Sequence, residues 1–440
     1  MYLLARRFTR NALIATLLLL ATPAFMAASH TLMGDLPMTA FWMAAAACFI
    51  YGVDRDDNRL LLLAGVASLL AVLTGYQALA LLLLLPAYAR LKGKLAWKTA
   101  LPMALPLLGF GAYAFLSLAY YGSLPRFTHA QGLSLEGTSI LARVEGNFLQ
   151  LGGASIFPLI MAGVFCLRRR RWLMLIPVIA GSFGLALYYS LTSEIFPPAT
   201  AILLGVFLTA AVVIVLSISR ESASQLAIAV SRRRVDTDYI FLAFWFLLML
   251  SAVALVLPHA TAKYLLPFLA PAVLLFFREM EAAIRSATVI TVVALLALAL
   301  TFVTGTAVSS SDYQLAQTYK DFALGFQDHY EPAPDVWFVG EWGFRHYMES
   351  KGYRYLASDS TSPREGDLVV QVGLMGWPLQ QAVTDRLMLV DKYEAGSNSP
   401  LRVLNFEANA GFYGTHWGKL PFTFSNHPLE TFRVYRVTAG

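Results

Sequence analysis

Long apolar runs, separated by short charged clusters, constrain this chain of 440 residues more than any other feature. A helix that crosses a bilayer needs about 20 mostly apolar residues. By that measure the sequence predicts eleven candidate spans: 11–28, 36–52, 60–74, 76–90, 99–119, 151–167, 172–190, 199–217, 239–257, 264–277 and 286–306. The third and fourth meet at Thr74-Gly75-Tyr76, either as a tight hairpin or as one long broken segment.

The overall composition supports a membrane protein. The chain is 58% apolar and 14% charged, whereas a soluble globular chain has about 45–50% and about 25%. This excludes an ordinary soluble enzyme and a disordered protein. The net charge of +6 does not indicate a nucleic-acid partner, because the basic residues lie between apolar runs. The chain has two cysteines, Cys48 and Cys166, too few for a disulfide framework or a cysteine zinc site. Both lie inside apolar runs and are predicted to be small buried residues.

Basic residues predict the orientation of the chain. Cytoplasmic loops of membrane proteins are enriched in Lys and Arg. With a cytoplasmic N-terminus, the outer loops hold Arg126, Arg143 and Lys263, and all other basic residues before 306 face inward: Arg6, Arg7, Arg10, Arg55, Arg59, Arg90, Lys92, Lys94, Lys98, Arg168, Arg169, Arg170, Arg171, Arg220, Arg232, Arg233, Arg234, Arg278 and Arg285. The prediction is a multi-pass protein of the inner (plasma) membrane with an odd number of spans and an extracytoplasmic tail.

An alternative to a first membrane span at the N-terminus is a signal peptide, because Arg6-Arg7 precedes an apolar run. That run is long for a signal peptide, and small residues are poorly placed for cleavage. Removal of the run would also invert the charge sorting.

The tail changes in composition and predicts a second domain. From Ser309 onward it is mixed polar and aromatic. Period-two patterns predict strands and a helical pattern predicts one helix ended by Gly352: strands at 335–339, 353–356, 367–372, 401–406 and 431–437, and a helix at 344–350. The fold prediction is therefore an α-helical polytopic membrane domain, 1–308, followed by a small extracytoplasmic α/β domain, 309–440.

Polar residues in the first outer turn, 29–37 (SHTLMGDLP), are candidates for chemistry. Ionisable groups at a membrane boundary are costly and often mark a site. Asp35 has three interpretations: a base toward a hydroxyl, a ligand of a cation, or a cap of the helix that follows. His30 lies in the same turn.

Four further outer segments hold candidates. Tyr76 and Gln77 follow a glycine and either line a cavity or mark a simple helix break. The loop from 120 to about 150 is long enough to suggest a function, and its candidates are Tyr120, Tyr121, Arg126, His129, Glu136, Arg143 and Glu145. Glu194 lies in the next turn. The last segment, 258–267, holds His259, Lys263 and Tyr264; Lys263 either contacts a phosphate or extends to lipid headgroups.

Several of these motifs together resemble glycosyltransferase family 39, the dolichyl-phosphate-mannose–protein mannosyltransferases and bacterial lipid A aminoarabinose transferases. The similarity covers roughly residues 1–310. Its motifs are 2–7 (YLLARR), 23–25 (PAF), 29–37 (SHTLMGDLP), 74–76 (TGY), and His259 with 263–267 (KYLLP). In the tail, 341–344 (EWGF) and 411–414 (GFYG) look like features of bacterial members with an external C-terminal domain.

The resemblance implies a membrane enzyme of the GT-C type. Such enzymes of the cell envelope move a sugar from a polyprenyl-phosphate carrier to an acceptor on the outer side of the membrane, without a nucleotide sugar. By this resemblance, Asp35 and His30 are the catalytic candidates, and Lys263, Tyr264 and His259 bind the donor phosphate. Tyr76, Gln77 and Glu194 are candidates for lining the cavity, and a divalent metal ion is a candidate cofactor. The partners implied are the lipid-linked sugar, the bilayer, and a lipid, glycan or protein acceptor.

The sequence departs from the family pattern in three ways. Family members usually have two more N-terminal helices, and the loop between them carries the acidic residue held to be the base. We therefore expect a truncated gene model or a degenerate copy, whose activity alone is in doubt. The turn at Tyr76 lacks a frequent Lys, and Lys263 replaces a more usual Arg, which removes bidentate phosphate contact.

Two rival functions remain open from the sequence. A transporter or lipid-linked sugar flippase also has many helices with embedded polar groups, although inverted repeats are not evident. A structural scaffold that has lost the catalytic loop is the third possibility.

Overall fold

The computed structural model describes residues 1–123, 139–160, 163, 172–194, 196–230, 235–257, 259–326 and 335–439. The predicted candidates Arg126, His129, Glu136, Cys166, 168–171 and 232–234 lie outside these residues. The chain forms two compact units. The first comprises Met1–Thr306 together with Phe412–His416, and the second comprises Ala307–Gly411 and Trp417–Gly440.

The described part of the first unit is helical. Its helices are α1 (Tyr2–Phe8), α2 (Ala12–Leu20), α3 (Pro23–Ser29), α4 (Asp35–Arg55), α5 (Asn58–Thr74), α6 (Leu81–Leu91), α7 (Trp97–Ala100), α8 (Ala104–Tyr121), α9 (Ile140–Ser155), α10 (Trp172–Thr192), α11 (Pro198–Val230), α12 (Thr237–Val256), α13 (Leu266–Ala283) and α14 (Ala287–Gly325). Single 3-10 turns occupy Tyr76–Ala80, Leu101–Met103 and Ala262–Leu265.

The prediction of eleven spans is not confirmed. Among the described residues, six helical segments are long and apolar enough to cross a membrane: Asp35–Arg55, Trp97–Tyr121, Leu175–Thr192, Pro198–Ala227, Thr237–Val256 and Ala287–Gly325. A seventh arises if α2 and α3, which meet at 63°, form one broken span. The segments Asn58–Thr74 and Tyr76–Leu91 are apolar but shorter, and α13 carries charge in its last turns.

Local sequence explains the bend between α2 and α3. The Thr22 side chain accepts a hydrogen bond from the Phe25 amide, and Pro23 occupies the first turn of α3. This is a helix start signal, so the chain begins a new helix instead of extending the old one. A Cβ atom at Gly305 would lie 2.4 Å from the Ala21 carbonyl oxygen, so α14 approaches this bend too closely for a side chain.

A cluster of ion pairs joins four helices, α1, α4, α6 and α12, at the end of the first unit that holds the C-terminus of α4. Arg7 Nε lies 2.6 Å from Asp54 Oδ2, and Arg7 Nη1 lies 2.9 Å from Asp238 Oδ2. Lys92 Nζ lies 2.7 Å from the other Asp238 oxygen, and Tyr88 donates to Asp54 at 2.7 Å. Nearby, Arg278 pairs with Asp236. We call Arg7, Asp54, Tyr88, Lys92 and Asp238 the basal cluster.

We expect Asp238→Asn to destabilise the first unit by roughly 3 kcal/mol, because breaking a largely buried pair leaves an uncompensated charge. The Asp238 side chain is 18% exposed and neutralises both Arg7 and Lys92. Thermal unfolding of the detergent-solubilised protein measures the loss. Asp56→Asn is the matched control, because Asp56 and Lys98 form a pair with side chains 64% and 42% exposed, and exposed pairs contribute about 0–1 kcal/mol. Equal melting temperatures for both variants would contradict this role for the cluster.

The second unit begins within α14, which continues past the end of the predicted span at 306. Val308, Leu315, Tyr319 and Ala323 are buried along it; the last three are four residues apart, which gives the helix one apolar face. The remaining elements are β1 (Val336–Val339), α15 (Trp342–Ser350), β2 (Arg354–Tyr355), β3 (Leu368–Val372), α16 (Gln381–Thr384), β4 (Leu387–Ala395), β5 (Leu401–Arg402), β6 (Leu404–Asn405), β7 (Ala410–Gly411), β8 (Thr423–Phe424) and β9 (Glu430–Val437).

A five-stranded mixed sheet forms the centre of the second unit, in the order β2-β1-β3-β9-β4. The pairs β1–β2 and β1–β3 are parallel, and β9 runs antiparallel to β3 and β4. Its core includes Val339, Val369 and Val437. Strand β4 was not predicted from the sequence, because its residues are exposed or half-buried and its first four, 387–390 (LMLV), are apolar without alternation.

A buried carboxylate anchors the first residue of β9. Glu430 accepts hydrogen bonds from the Tyr319 hydroxyl at 2.9 Å and from the backbone amides of Gly373, Leu374 and Thr431. Burial raises the pKa of Glu430 to about 6, and the hydrogen bonds from these donors partly oppose the rise because they stabilise the charged carboxylate. Glu341, by contrast, occupies the N-cap position of α15 without a capping bond. It supports that helix instead through Arg345, 3.2 Å away.

Candidate functional site

Two turns of the first unit, 30–35 and 74–77, lie in direct contact. A Cβ atom at Gly34 would lie 3.2 Å from the Thr74 carbonyl oxygen, and one at Gly75 would lie 2.7 Å from Met38 Sδ. The two glycines therefore allow the backbone to approach closely. This contact brings the start of α4 next to the 3-10 turn that carries Gln77.

Asp35, Gln77 and Lys263 meet at this point, although they come from three separate segments. The Asp35 Oδ2 atom lies 3.5 Å from Lys263 Nζ. Gln77 Nε2 donates to Asp35 Oδ1 at 3.3 Å. The side chains of Asp35 and Lys263 are 12% and 24% exposed. We call these three residues the Asp35 cluster.

One interpretation of the sequence made Asp35 the cap of α4, and the structure shows that it is not. Gly34 occupies that position, and no side chain makes a capping bond there. Asp35 lies in the first turn, where a negative charge interacts favourably with the helix dipole. Its carboxylate oxygens are directed instead at Gln77 and Lys263.

The segment that carries Lys263 is tightly held. Thr261 is buried, and its side-chain oxygen accepts a hydrogen bond from the Lys263 amide at 3.2 Å. Lys263 Nζ lies 5.5 Å from the centre of the Tyr264 ring, within range of a cation–π interaction. Burial, with the nearby charge of Asp35, raises the pKa of Tyr264 to about 12. Tyr264 is therefore a neutral hydroxyl at any ordinary pH.

Residues 412–416 contact the same segment, although their neighbours in sequence belong to the second unit. The Ala262 amide donates to the Phe412 carbonyl oxygen at 3.0 Å, and the Thr415 amide donates to the Ala260 carbonyl oxygen at 3.0 Å. The rings of His259 and His416 lie 5.1 Å apart, nearly perpendicular. Burial lowers the pKa of His416, which favours the neutral imidazole.

The other predicted site residues lie elsewhere or make different contacts. His30 is exposed at the end of α3, with Nδ1 3.2 Å from the Met26 carbonyl oxygen. The Tyr76 hydroxyl donates to Tyr113 at 3.2 Å. Glu194 is exposed in the turn between α10 and α11. Arg143 is buried and donates to the Leu255 carbonyl oxygen at 3.1 Å, so it stabilises the end of α12.

Sequence reasoning missed three contributors to this region. Met33 Sδ lies 3.7 Å from Lys263 Nζ, and Thr415 and His416 come from the distant segment 412–416. The available signal was 411–414 (GFYG), where two glycines enclose two aromatic residues. Nothing in that pattern indicates the contact between Thr415 and Ala260, because these residues are 155 positions apart in the sequence.

The Asp35 cluster does not fit a divalent metal ion. It offers one carboxylate, an amide and an ammonium group, whereas such ions prefer several oxygen ligands. Within the part of the chain that the structure describes, no group of three His, Cys, Asp or Glu residues could hold a metal ion.

The Asp35 cluster and the basal cluster lie at opposite ends of α4. Asp35 and Asp54 are 19 positions apart on one helix, a rise of about 28 Å at 1.5 Å per residue. This distance matches the roughly 30 Å hydrocarbon thickness of a bilayer. The two polar layers are therefore placed as the two faces of a membrane would require.

Comparison with known proteins agrees with the resemblance stated above. Residues 1–120 match a family model described as dolichyl-phosphate-mannose-protein mannosyltransferase. This match, which covers 120 of the 440 residues, supports the suspected resemblance; members of that family are membrane glycosyltransferases of the GT-C type. No curated protein and no solved structure gives a significant match. With its apolar helices, the chain is a multi-pass membrane protein, and its residues 1–120 are similar to a glycosyltransferase family.

Proposed function

We propose that this protein transfers a sugar from a polyprenyl-phosphate carrier to an acceptor hydroxyl on the outer face of the membrane. The meeting of Asp35, Gln77 and Lys263 from three separate segments is the observation that carries the proposal. A carboxylate beside a cation suits a reaction that needs a proton acceptor and a stabilised anionic leaving group.

In this reaction the acceptor oxygen attacks the anomeric carbon with inversion, and Asp35 takes the hydroxyl proton. The bond between the anomeric carbon and the phosphate oxygen breaks, and its electron pair leaves with the polyprenyl phosphate. Lys263 stabilises the negative charge of that phosphate. Tyr264 and His259 supply hydrogen bonds next to it, and His30, on the same turn as Asp35, contacts the acceptor.

The ion pair itself suggests how the donor prepares the site. Lys263 Nζ lies 3.5 Å from Asp35 Oδ2 and neutralises its charge. A phosphate group competes for the ammonium, because charge-assisted bonds to phosphate are strong. Once Lys263 turns toward the phosphate, the Asp35 carboxylate is released from the ion pair and can contact the acceptor hydroxyl.

We also propose that the Asp35 cluster faces outward and the basal cluster faces the cytoplasm, as the distribution of Lys and Arg indicates. In a chain without its native cysteines, we expect Leu32→Cys in intact cells to react with a membrane-impermeant maleimide. Asn58→Cys should react only after permeabilisation. Both positions are exposed, so accessibility depends on the side of the membrane. The reverse labelling pattern would contradict this orientation.

The test of function is sugar transfer in membranes that contain the full chain. A labelled sugar on a polyprenyl phosphate is supplied, and label that reaches a water-soluble or lipid acceptor is counted. We expect transfer that depends on the protein and releases polyprenyl phosphate. Movement of the intact labelled lipid between leaflets, without cleavage, would instead support a flippase.

A further inference from the structure

We propose that residues 412–416 form part of the donor-phosphate site, with Thr415 acting as a positioning residue for the segment that carries Lys263. This inference deepens the proposed function and rests on it. It assigns a role at the membrane site to a short stretch of the C-terminal region, whose sequence neighbours on both sides belong to the second unit.

Three hydrogen bonds connect the two segments. Thr415 contacts Ala260 twice: its amide donates to the Ala260 carbonyl oxygen at 3.0 Å, and its hydroxyl oxygen accepts from the Ala260 amide at 3.3 Å. The third bond runs from the Ala262 amide to the Phe412 carbonyl oxygen at 3.0 Å. The bonds therefore enclose Thr261 and end at the residue directly before Lys263.

These bonds satisfy a buried piece of backbone. Ala260, Thr261 and Ala262 are each fully buried, and a buried amide without an acceptor is costly. The Lys263 amide bonds to the Thr261 side chain, so the stretch 260–263 is held by residues 412–416 and by a hydrogen bond within itself. Rigid backbone at this point fixes where the Lys263 ammonium can reach.

Close packing provides a second, independent observation. A Cβ atom at Gly146 of α9 would lie 3.0 Å from Thr415 Cγ2 and 3.1 Å from Ala260 Cβ. Glycine at this position lets Thr415 and Ala260 lie together against the helix. A methyl group there would press on both partners, which gives a way to disturb the contact without changing either segment.

The experiment compares three variants of the full chain in detergent or nanodiscs. Thr415→Val removes the hydroxyl acceptor and keeps the branched shape, Thr415→Ser retains the hydroxyl, and Gly146→Ala crowds the contact. One measurement is hydrogen–deuterium exchange of a peptide that covers 259–264. The other measurement is the binding of a short polyprenyl phosphate, detected from the increase in thermal stability that it gives to the protein.

For Thr415→Val and Gly146→Ala we expect exchange at 259–264 to accelerate and the dissociation constant for polyprenyl phosphate to rise, each by roughly 10-fold. Thr415→Ser should stay close to wild type in both. In the transfer assay, the donor KM should rise more than kcat falls, whereas a general folding defect would lower the amount of active protein.

Two outcomes overturn the inference while leaving the proposed function intact. One is unchanged exchange in both perturbing variants, and the other is faster exchange with unchanged binding of polyprenyl phosphate. If the wild-type protein itself fails to bind polyprenyl phosphate, the proposed function fails, and this inference fails with it.

Discussion

Asp35→Asn should reduce sugar transfer by roughly 10²-fold or more, the usual scale for losing a positioned acid–base group. Asparagine keeps the shape of the side chain and its bond to Gln77, but it cannot accept the proton of the acceptor. It also removes the partner of Lys263. The measurement is the rate of transfer of labelled sugar from the lipid carrier in membranes with matched protein levels.

Two carboxylate variants serve as controls for Asp35→Asn. Asp56→Asn changes an exposed pair at the other end of α4, and Glu341→Gln changes the carboxylate that supports α15. Both should transfer sugar at close to the wild-type rate. If Asp35→Asn behaves like these controls, Asp35 is not the proton acceptor, and the transporter interpretation gains weight.

Lys263→Ala should weaken use of the polyprenyl-phosphate donor by roughly 10- to 100-fold, because hydrogen bonds to charged groups contribute about 1.5–3 kcal/mol. Use of the acceptor should change much less. Initial rates measured against donor and acceptor concentration separate the two effects. A larger effect on the acceptor would show that Lys263 does not hold the phosphate.

Lys263→Arg is the matched variant, because it keeps the positive charge and adds a planar fork suited to phosphate. We expect it to retain most of the donor use. The double variant that combines Asp35→Asn with Lys263→Ala should lose less transfer activity than the product of the two single losses, since residues in contact are not independent. Strict independence would contradict a direct coupling between Asp35 and Lys263.

Much of the local structure could be predicted from particular residues. Thr22 and Pro23 are a helix start signal, and the structure begins α3 there, although the prediction of one continuous span over 11–28 did not use that signal. Gly352 follows the end of α15, as predicted. The eleven predicted spans are not confirmed: among the described residues, α5 and Tyr76–Leu91 are apolar but short, and composition alone does not distinguish a short buried helix from one that crosses the bilayer.

The candidate site was only partly accessible from the sequence. Asp35, Gln77 and Lys263 were each predicted as site residues because they are polar residues in turns that the charge distribution places on the outer side. The resemblance implied that Asp35 and Lys263 share a cavity, but the bond from Gln77 to Asp35 had no signal in the sequence. Thr415 and His416 were outside consideration, since they lie in what looks like a separate domain.

By itself, the sequence determined that this chain is a multi-pass membrane protein with a glycosyltransferase-like start and a strand-containing C-terminal region. These properties follow from local composition and short motifs, which act over one or two helical turns or over the width of a bilayer. Only the tertiary structure decided that Asp35 pairs with Lys263, 228 positions later, and that residues 412–416 contact Ala260. Such contacts depend on how helices pack and where glycines let the backbone approach, and no local pattern specifies that.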